Sequence, residues 1–160
     1  MNSLGQARGT ARQLVRLARD GHFDTVSGIV HLLTDPAMQQ HELLRQVLAE
    51  LVHAAASMMV RQIGGVGPNT AVVLDLRKTD GSVVDIDQLE PEVRAVVRAL
   101  LAEVNGHPED AAEQISLALA GDPCPMVDGI VLVLVWTICA MAWCEDHDEP
   151  APRWLTATAA

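Results

Sequence analysis

Apolar side chains recur every three or four positions along most of the chain, which is the period of an amphipathic α-helix. Gly, Pro and Asp residues interrupt the pattern and separate six predicted helices. The last helix is apolar on almost every side, because residues 129–144 carry no charge. This run is shorter than the roughly 20 residues of a membrane span, so we expect a buried or interface helix. The predicted helices cover residues 7–19, 23–33, 36–62, 91–104, 108–120 and 125–146.

Residues 71–87 change to a period of two, which is typical of β-strands. The alternation predicts a β-hairpin in which Leu76 lies opposite Val84, so that the apolar residues share one face. This register leaves residues 79–81 as a three-residue loop, and such a loop requires Gly81 to adopt the left-handed conformation.

The polar face of the predicted hairpin carries three carboxylates. Its register places Asp75 opposite Asp85, with Asp87 next on the same face. Like charges directly opposite each other destabilise a pair of strands. We therefore expect this face to be solvated, or to be neutralised by an arginine, a partner or a hard cation.

The helical segments on either side of the hairpin resemble each other. A Gly-His pair begins at Gly21 and again at Gly106, and an Asp-Pro pair begins at Asp35 and again at Asp122. This similarity predicts a mainly α fold in which one hairpin joins two repeated three-helix units. The predicted single domain is residues 1–147, with units 7–62 and 91–146, the hairpin 71–87 between them and a flexible tail 148–160.

Part of the second unit resembles one tetratricopeptide repeat. Within residues 92–123, Gly106 matches the turn glycine of that family, Ala111 and Ala118 its small residues, and Pro123 its closing proline. The resemblance implies a helical hairpin and favours an interaction module, without the peptide groove that several stacked repeats form. The large aromatic positions of the family are occupied here by Ala95, Ala102 and Ile115.

Charge narrows the range of partners. The 160-residue chain has a net charge of −10, and residues 71–160 carry sixteen acidic against five basic side chains. An acidic chain repels a phosphate backbone, so we expect no direct contact with nucleic acid. Only 2% of residues are aromatic, which disfavours a base-stacking surface. Arg greatly outnumbers Lys, a bias of GC-rich genomes that indicates a bacterial source.

The cysteines and the first residues of the chain indicate the cellular compartment. The three cysteines, Cys124, Cys139 and Cys144, are odd in number and all lie in the second half, which argues against a disulfide framework. The first residues lack the apolar core of a signal peptide. We therefore expect a cytoplasmic protein that does not insert into a membrane.

Candidate chemistry is sparse. Glu50 and His53 have the spacing of a helical metal-binding pair, but the corresponding part of the second unit lacks the second pair that di-iron bundles use. Cys139 and Cys144 are five apart and would not converge on one ion. The sequence contains no complete catalytic or nucleotide-binding motif. It predicts no catalytic residue, no metal site and no cofactor, and it favours a protein that is not an enzyme.

The sixth helix leads to the functional hypothesis. A helix that is apolar almost all round needs cover on two sides, so its second face is predicted to meet another copy of the chain. The predicted interface comprises Ile130, Leu132, Trp136, Cys139 and Trp143. A stripe of arginines on the first helix is predicted to be solvated, or to dock on an acidic surface of this chain or of a second copy. The stripe comprises Arg8, Arg12, Arg16 and Arg19.

The leading prediction is a non-catalytic interaction or scaffold domain that forms a homodimer. One alternative is a ligand-binding or enzymatic domain with an apolar pocket between the units, lined by Met58, Met59, Met141 and Trp143. A second alternative is an acidic mimic of nucleic acid that sequesters a basic protein.

Overall fold

The computed structural model describes residues 2–158, and in this range the chain forms seven α-helices and no β-strand. Six long helices occupy the segments where the apolar period predicts them, and a single turn near the end is the seventh. They are α1 (Ser3–Arg19), α2 (Phe23–Thr34), α3 (His41–Gln62), α4 (Pro91–Val104), α5 (Pro108–Leu119), α6 (Pro123–Asp146) and α7 (Arg153–Thr156).

Two long helices, α3 and α6, pack against each other at the centre of one hydrophobic core. Leu48 and Leu51 of α3 and Ile130 and Leu134 of α6 have at most 1% of their surface exposed. Burying a leucine or isoleucine side chain contributes about 1.5–3 kcal/mol, so this seam is a main source of stability. The Thr137 hydroxyl is buried in this seam and donates to the Val133 carbonyl at 2.8 Å, so its hydrogen bond is made within α6.

The two halves share their turn geometry. Gly21 has φ +80° and Gly106 has φ +79°, the left-handed conformation that glycine adopts without a steric penalty. After each glycine, a histidine amide donates back to a carbonyl five residues earlier at 2.8 Å, from His22 in one half and from His107 in the other. These hydrogen bonds satisfy carbonyls at the end of the preceding helix. The repeated Gly-His pairs therefore encode the same helix-ending turn twice.

The buried faces of α3 and α6 are also in register. Seven buried positions of α3 each have a buried counterpart 82 residues later, as Leu44 has in Met126. The remaining six pairs are Val47 with Gly129, Leu48 with Ile130, Leu51 with Val133, Val52 with Leu134, Ala55 with Thr137, and Met58 with Ala140.

Packing across the two halves is reciprocal. Besides the central α3–α6 contact, α2 of the first half packs on α6 of the second, and α5 of the second half packs on α3 of the first. The contact of α1 with α6 has its counterpart in the contact of α4 with α3. Each half therefore completes the core of the other.

The third helix begins later than its Asp-Pro signal predicts. Asp35 accepts a hydrogen bond from the Ala37 amide, but the turn that it caps, Pro36–Met38, is a short 3-10 helix. Gln39 then adopts a left-handed conformation with φ +52°, which ends this turn, and α3 starts at His41. In the second half Asp122 caps α6 directly, so the two halves differ by these five residues.

The predicted β-hairpin at residues 71–87 is wrong. Within the described residues, this segment has one isolated antiparallel bridge, between Arg77 and Val83, and no strand. The turn is local: Gly81 has φ +86°, and the Val84 amide donates to the Leu76 carbonyl at 2.7 Å. A lone two-stranded hairpin has marginal stability in water, and here residues beyond the bridge turn towards α4 instead of pairing further.

The last residues differ from the flexible tail that the sequence predicts. Residues 153–156 form α7, which packs on α1, and Leu155 is only 3% exposed. A leucine that finds an apolar site offsets the entropy lost when a short segment becomes ordered. Residues 159 and 160 of the predicted tail lie outside the described residues.

Length and composition alone would allow α3 and α6 to cross a membrane. About half of each apolar stretch, 50% in α3 and 44% in α6, is buried inside the protein. The core helix of a soluble domain meets the same criteria, so this is weak evidence for a membrane span.

Candidate interaction site

One side of α6 presents apolar residues to the surface. We define the α6 outer face as Val131, Leu132, Val135, Cys139 and Ala142, which follow one another at helical spacing. Val135 is 39% exposed, Cys139 and Ala142 are exposed, and the other two are half-buried. This face is uncharged and lies opposite the side of α6 that fills the core.

The predicted interface residues divide between this face and the interior. Ile130 is 1% exposed and belongs to the core, so it is not available to a partner. Cys139 is exposed and Leu132 is half-buried, and both belong to the outer face, while Trp136 and Trp143 are half-buried outside it. The Trp143 ring stacks on His147 with 4.3 Å between ring centroids, which covers part of the indole.

The equivalent side of α3 mixes polar and apolar residues, with Glu50, His53 and Ser57 between Ala49 and Val60. In the 82-residue register of the two helices, Leu132 corresponds to Glu50 and Val135 to His53. Glu50 accepts a hydrogen bond from Arg8 at 2.8 Å, and a ring nitrogen of His53 lies 3.2 Å from a Glu103 carboxylate oxygen. These two equivalent positions therefore carry polar side chains with partners in α3 and apolar side chains in α6.

The arginine stripe of α1 is engaged within the chain. Arg8 pairs with Glu50, and Arg19 donates to Glu145 at 3.0 Å. The other two arginines donate to main-chain carbonyls of the C-terminal segment: Arg12 to Trp154 at 3.5 Å and Arg16 to Ala157 at 2.7 Å. Three of the four arginines therefore contact the second half of the chain, whereas Arg8 pairs with Glu50 of the first half.

The three predicted hairpin carboxylates do not face one another. Asp75 forms an ion pair with Arg77 at 2.7 Å, and Asp87 lies 3.4 Å from Arg98. Asp85 accepts from the Asp87 amide at 3.0 Å and caps the short 3-10 turn Ile86–Gln88. Neighbouring arginines and a backbone amide therefore satisfy these acids locally.

The predicted methionine-lined pocket coincides with neither of two clefts that the structure shows among residues 2–158. Met58 and Met141 are 1% and 3% exposed, within the filled core. One of these clefts, of about 910 Å³, lies between the linker 66–71 and the end of α4. A second, of about 400 Å³, lies between the two Asp-Pro turns, where Leu44 and Met126 form part of its wall. The wall of the first cleft includes the titratable side chains of Arg98, Glu103, His107 and Asp110.

The described residues include no candidate metal-binding cluster and three free cysteines. No cluster of three or more His, Cys, Asp or Glu side chains suited to a metal ion occurs among residues 2–158. The carboxylate of Glu50, the candidate partner of His53, is occupied by Arg8. Cys144 is 1% exposed, and burial raises the pKa of its thiol, which keeps it protonated. Cys124 and Cys139 are exposed free thiols.

Sequence reasoning missed three structural contributors. The Asn105 side chain accepts from the Val72 amide at 2.7 Å and donates to the Val72 carbonyl at 3.0 Å, which holds the linker on α4. Glu92, 8% exposed, accepts from the Asp122 amide at 2.7 Å at the start of α6. Leu155 anchors the C-terminal segment. Of these three residues, only Leu155 could have been predicted from the sequence, because it is an apolar residue next to Trp154 in a mainly polar tail.

Comparison of the chain with protein-family models, with curated proteins and with solved structures gave no match. The tetratricopeptide resemblance of residues 92–123 therefore remains a prediction. Function has to be argued from the surface of this molecule, because a fold alone does not specify one.

Proposed function

We propose that the protein is a non-catalytic cytoplasmic interaction domain that forms a homodimer through the α6 outer face. The observation that carries the proposal is the contrast between the two halves. Where α3 has Glu50 and His53 in polar contacts, α6 has a half-buried Leu132 and an exposed Val135. A position that is polar in one repeat and apolar in the other favours cover by a partner on the apolar side.

A second copy is the occupant that this face fits best. The face is uncharged, and its residues follow the three-and-four spacing that lets one helix pack against another. The chain already buries one repeated helix against the other at the α3–α6 seam. Contact between copies of one surface gives a closed two-fold dimer, the commonest symmetry of soluble oligomers.

Salt dependence distinguishes this interface from a charge-driven one. Each chain has a net charge of −10, so two copies repel each other at long range. Salt screens this repulsion, whereas apolar contact persists. We expect the dimer to become tighter as salt increases, and an interface built on ion pairs would weaken.

The direct test is Val135→Glu, examined by light scattering coupled to gel filtration at micromolar concentration. The wild type should have twice the 17.2 kDa mass of one chain, and the variant should have the mass of one chain. A carboxylate at this position would be desolvated in the dimer without a partner but would remain in water in the monomer.

Leu117→Glu on α5 is the matched control, because it places the same charge at a more exposed apolar residue away from α6. The control should remain a dimer, and circular dichroism should show all three proteins equally helical. A wild type with the mass of one chain would contradict the proposal, and so would a Val135→Glu variant that remains a dimer.

A further inference from the structure

The C-terminal segment lies on α1 in the manner of a bound peptide. Leu155 inserts into the hydrophobic core and is 3% exposed, and Ala151 and Trp154 pack beside it. The guanidinium of Arg8 lies 5.9 Å from the centre of the Trp154 ring, within the range of a cation–π contact. The segment therefore contributes one buried anchor and one aromatic contact over two adjacent positions.

The arginines of α1 bind the main chain of this segment. Arg12 and Arg16 are one helical turn apart, and their guanidinium groups donate to the carbonyls of Trp154 and Ala157. Hydrogen bonds to carbonyls do not depend on side-chain identity, so they hold any peptide of suitable shape. Selectivity then comes from the pockets for the leucine and the tryptophan, as in other peptide-recognition grooves.

The segment is joined to α6 by a short exposed connection. Residues 147–150 are exposed, and Asp148 has φ +52°. The Glu149 amide donates to the Cys144 carbonyl of α6 at 2.9 Å, and the Glu149 carboxylate lies 3.7 Å from Arg61. A further open cleft of about 320 Å³ borders Arg12 and Arg16 and is walled by Gly9, Gln13 and Leu17. The segment can therefore leave α1 without unwinding α6, and space remains for a longer ligand.

We propose that α1 carries a peptide-recognition groove that the chain's own C-terminal segment keeps occupied. Its partner is a peptide of the same chemistry, one helical turn with tryptophan followed by leucine. A tethered segment acts at an effective concentration on the order of millimolar, so a free peptide binds only when the tether is cut or strongly outcompeted. The site shares no residue with the α6 outer face, so its test is independent of the proposed homodimer.

The test uses the full chain with a protease site in the exposed connection 148–150, cleaved after folding. A fluorescent synthetic peptide of residues 149–160 is then added, and its anisotropy is followed. The cleaved protein should bind this peptide saturably, with release by unlabelled peptide, and the uncleaved protein should bind at least tenfold more weakly. Circular dichroism should show the same helical content before and after cleavage.

Variants of the peptide and of the groove identify the contacts. Leu155→Ala in the peptide should weaken binding at least tenfold because it removes the buried anchor, while Thr156→Ala, at an exposed position, should leave binding unchanged. Arg16→Ala in the protein should weaken binding about threefold to tenfold. Failure of the peptide to bind the cleaved protein would overturn the proposal. Loss of helical structure on cleavage would also overturn it, since the segment would then be part of the core.

Discussion

Gly121 and Glu92 form a close contact that fixes the start of α6. The carboxylate of Glu92 accepts from the Asp122 amide, and a Cβ added to Gly121 would lie 2.6 Å from Glu92 Cγ. One oxygen of this carboxylate, Oε2, has no hydrogen-bond partner among the described residues. An added methyl group would therefore displace the Glu92 side chain and break its hydrogen bond to the Asp122 amide.

Gly121→Ala is therefore expected to lower the free energy of unfolding by about 1–3 kcal/mol, measured by urea denaturation. The double variant with Glu92→Ala should lose less than the sum of the two single changes, because the clash is gone. Gly28→Ala is the control: nothing lies within 4 Å of its added Cβ, and alanine favours the helix. Additive losses in the double variant would contradict this account.

Hydrogen bonding at the start of α3 lowers the pKa of one acidic side chain, Glu42. Hydrogen bonds from Arg45 and then Gln46 lower the pKa of Glu42 from 4.5 to about 2. A lowered pKa in the folded state means that the contribution is complete above about pH 4.5 and is lost as the pH falls towards 2. The side chain is exposed, so this contribution is local to the first turn of the helix.

The turns that end α1 and α4 are the same element with different side chains. Asp20 and Asn105 occupy equivalent positions before the left-handed glycines. Among residues 2–158 the Asp20 side chain has no hydrogen bond within the chain, whereas Asn105 holds both backbone groups of Val72. Only the second copy of this element serves as a clamp for the linker.

Asn105→Ala should release the backbone around Val72 from the end of α4. We expect amide hydrogen exchange at Val72 to accelerate at least tenfold, and the free energy of unfolding to fall by about 1–2 kcal/mol. Asp20→Ala is the matched control in the first half and should change stability by less than about 0.5 kcal/mol. Equal effects of the two variants would show that the clamp does not stabilise the linker.

Reciprocal packing of the two halves predicts that the whole molecule unfolds as one cooperative unit. Helix α2 packs on α6 and α5 packs on α3, so neither half has a complete core alone. All three tryptophans lie in the second half, at 136, 143 and 154. Tryptophan fluorescence therefore reports on the second half, while circular dichroism reports on the helices of both.

The two signals should give one coincident unfolding transition in denaturant. Leu48→Ala, in the fully buried core of the first half, should lower stability by about 2–5 kcal/mol and shift both midpoints equally. A tryptophan transition that keeps its wild-type midpoint in this variant would show that the halves unfold independently.

The sequence by itself determined the helices and the turns between them. Helix α4 spans the predicted residues 91–104, and Gly21, Gly81 and Gly106 take the left-handed conformations that their turns require. These features depend on side-chain period, proline placement and glycine conformation within a few residues. The six long helices of the predicted mainly α fold follow from the same local rules.

Only the tertiary structure decided which segments find partners. The alternation at 71–87 produced a turn with one isolated bridge and no strand. The Asn105 side chain on α4 binds the Val72 backbone, so these groups are not free to pair with a second strand. The arginine stripe and Leu155 are far apart in sequence, and their contact exists only once α1 and α6 bring them together. Ile130 and Val135 are both apolar residues of one helix, yet one fills the core and the other meets solvent. The hydrophobic effect has no direction, so burial depends on the neighbours that the complete fold supplies.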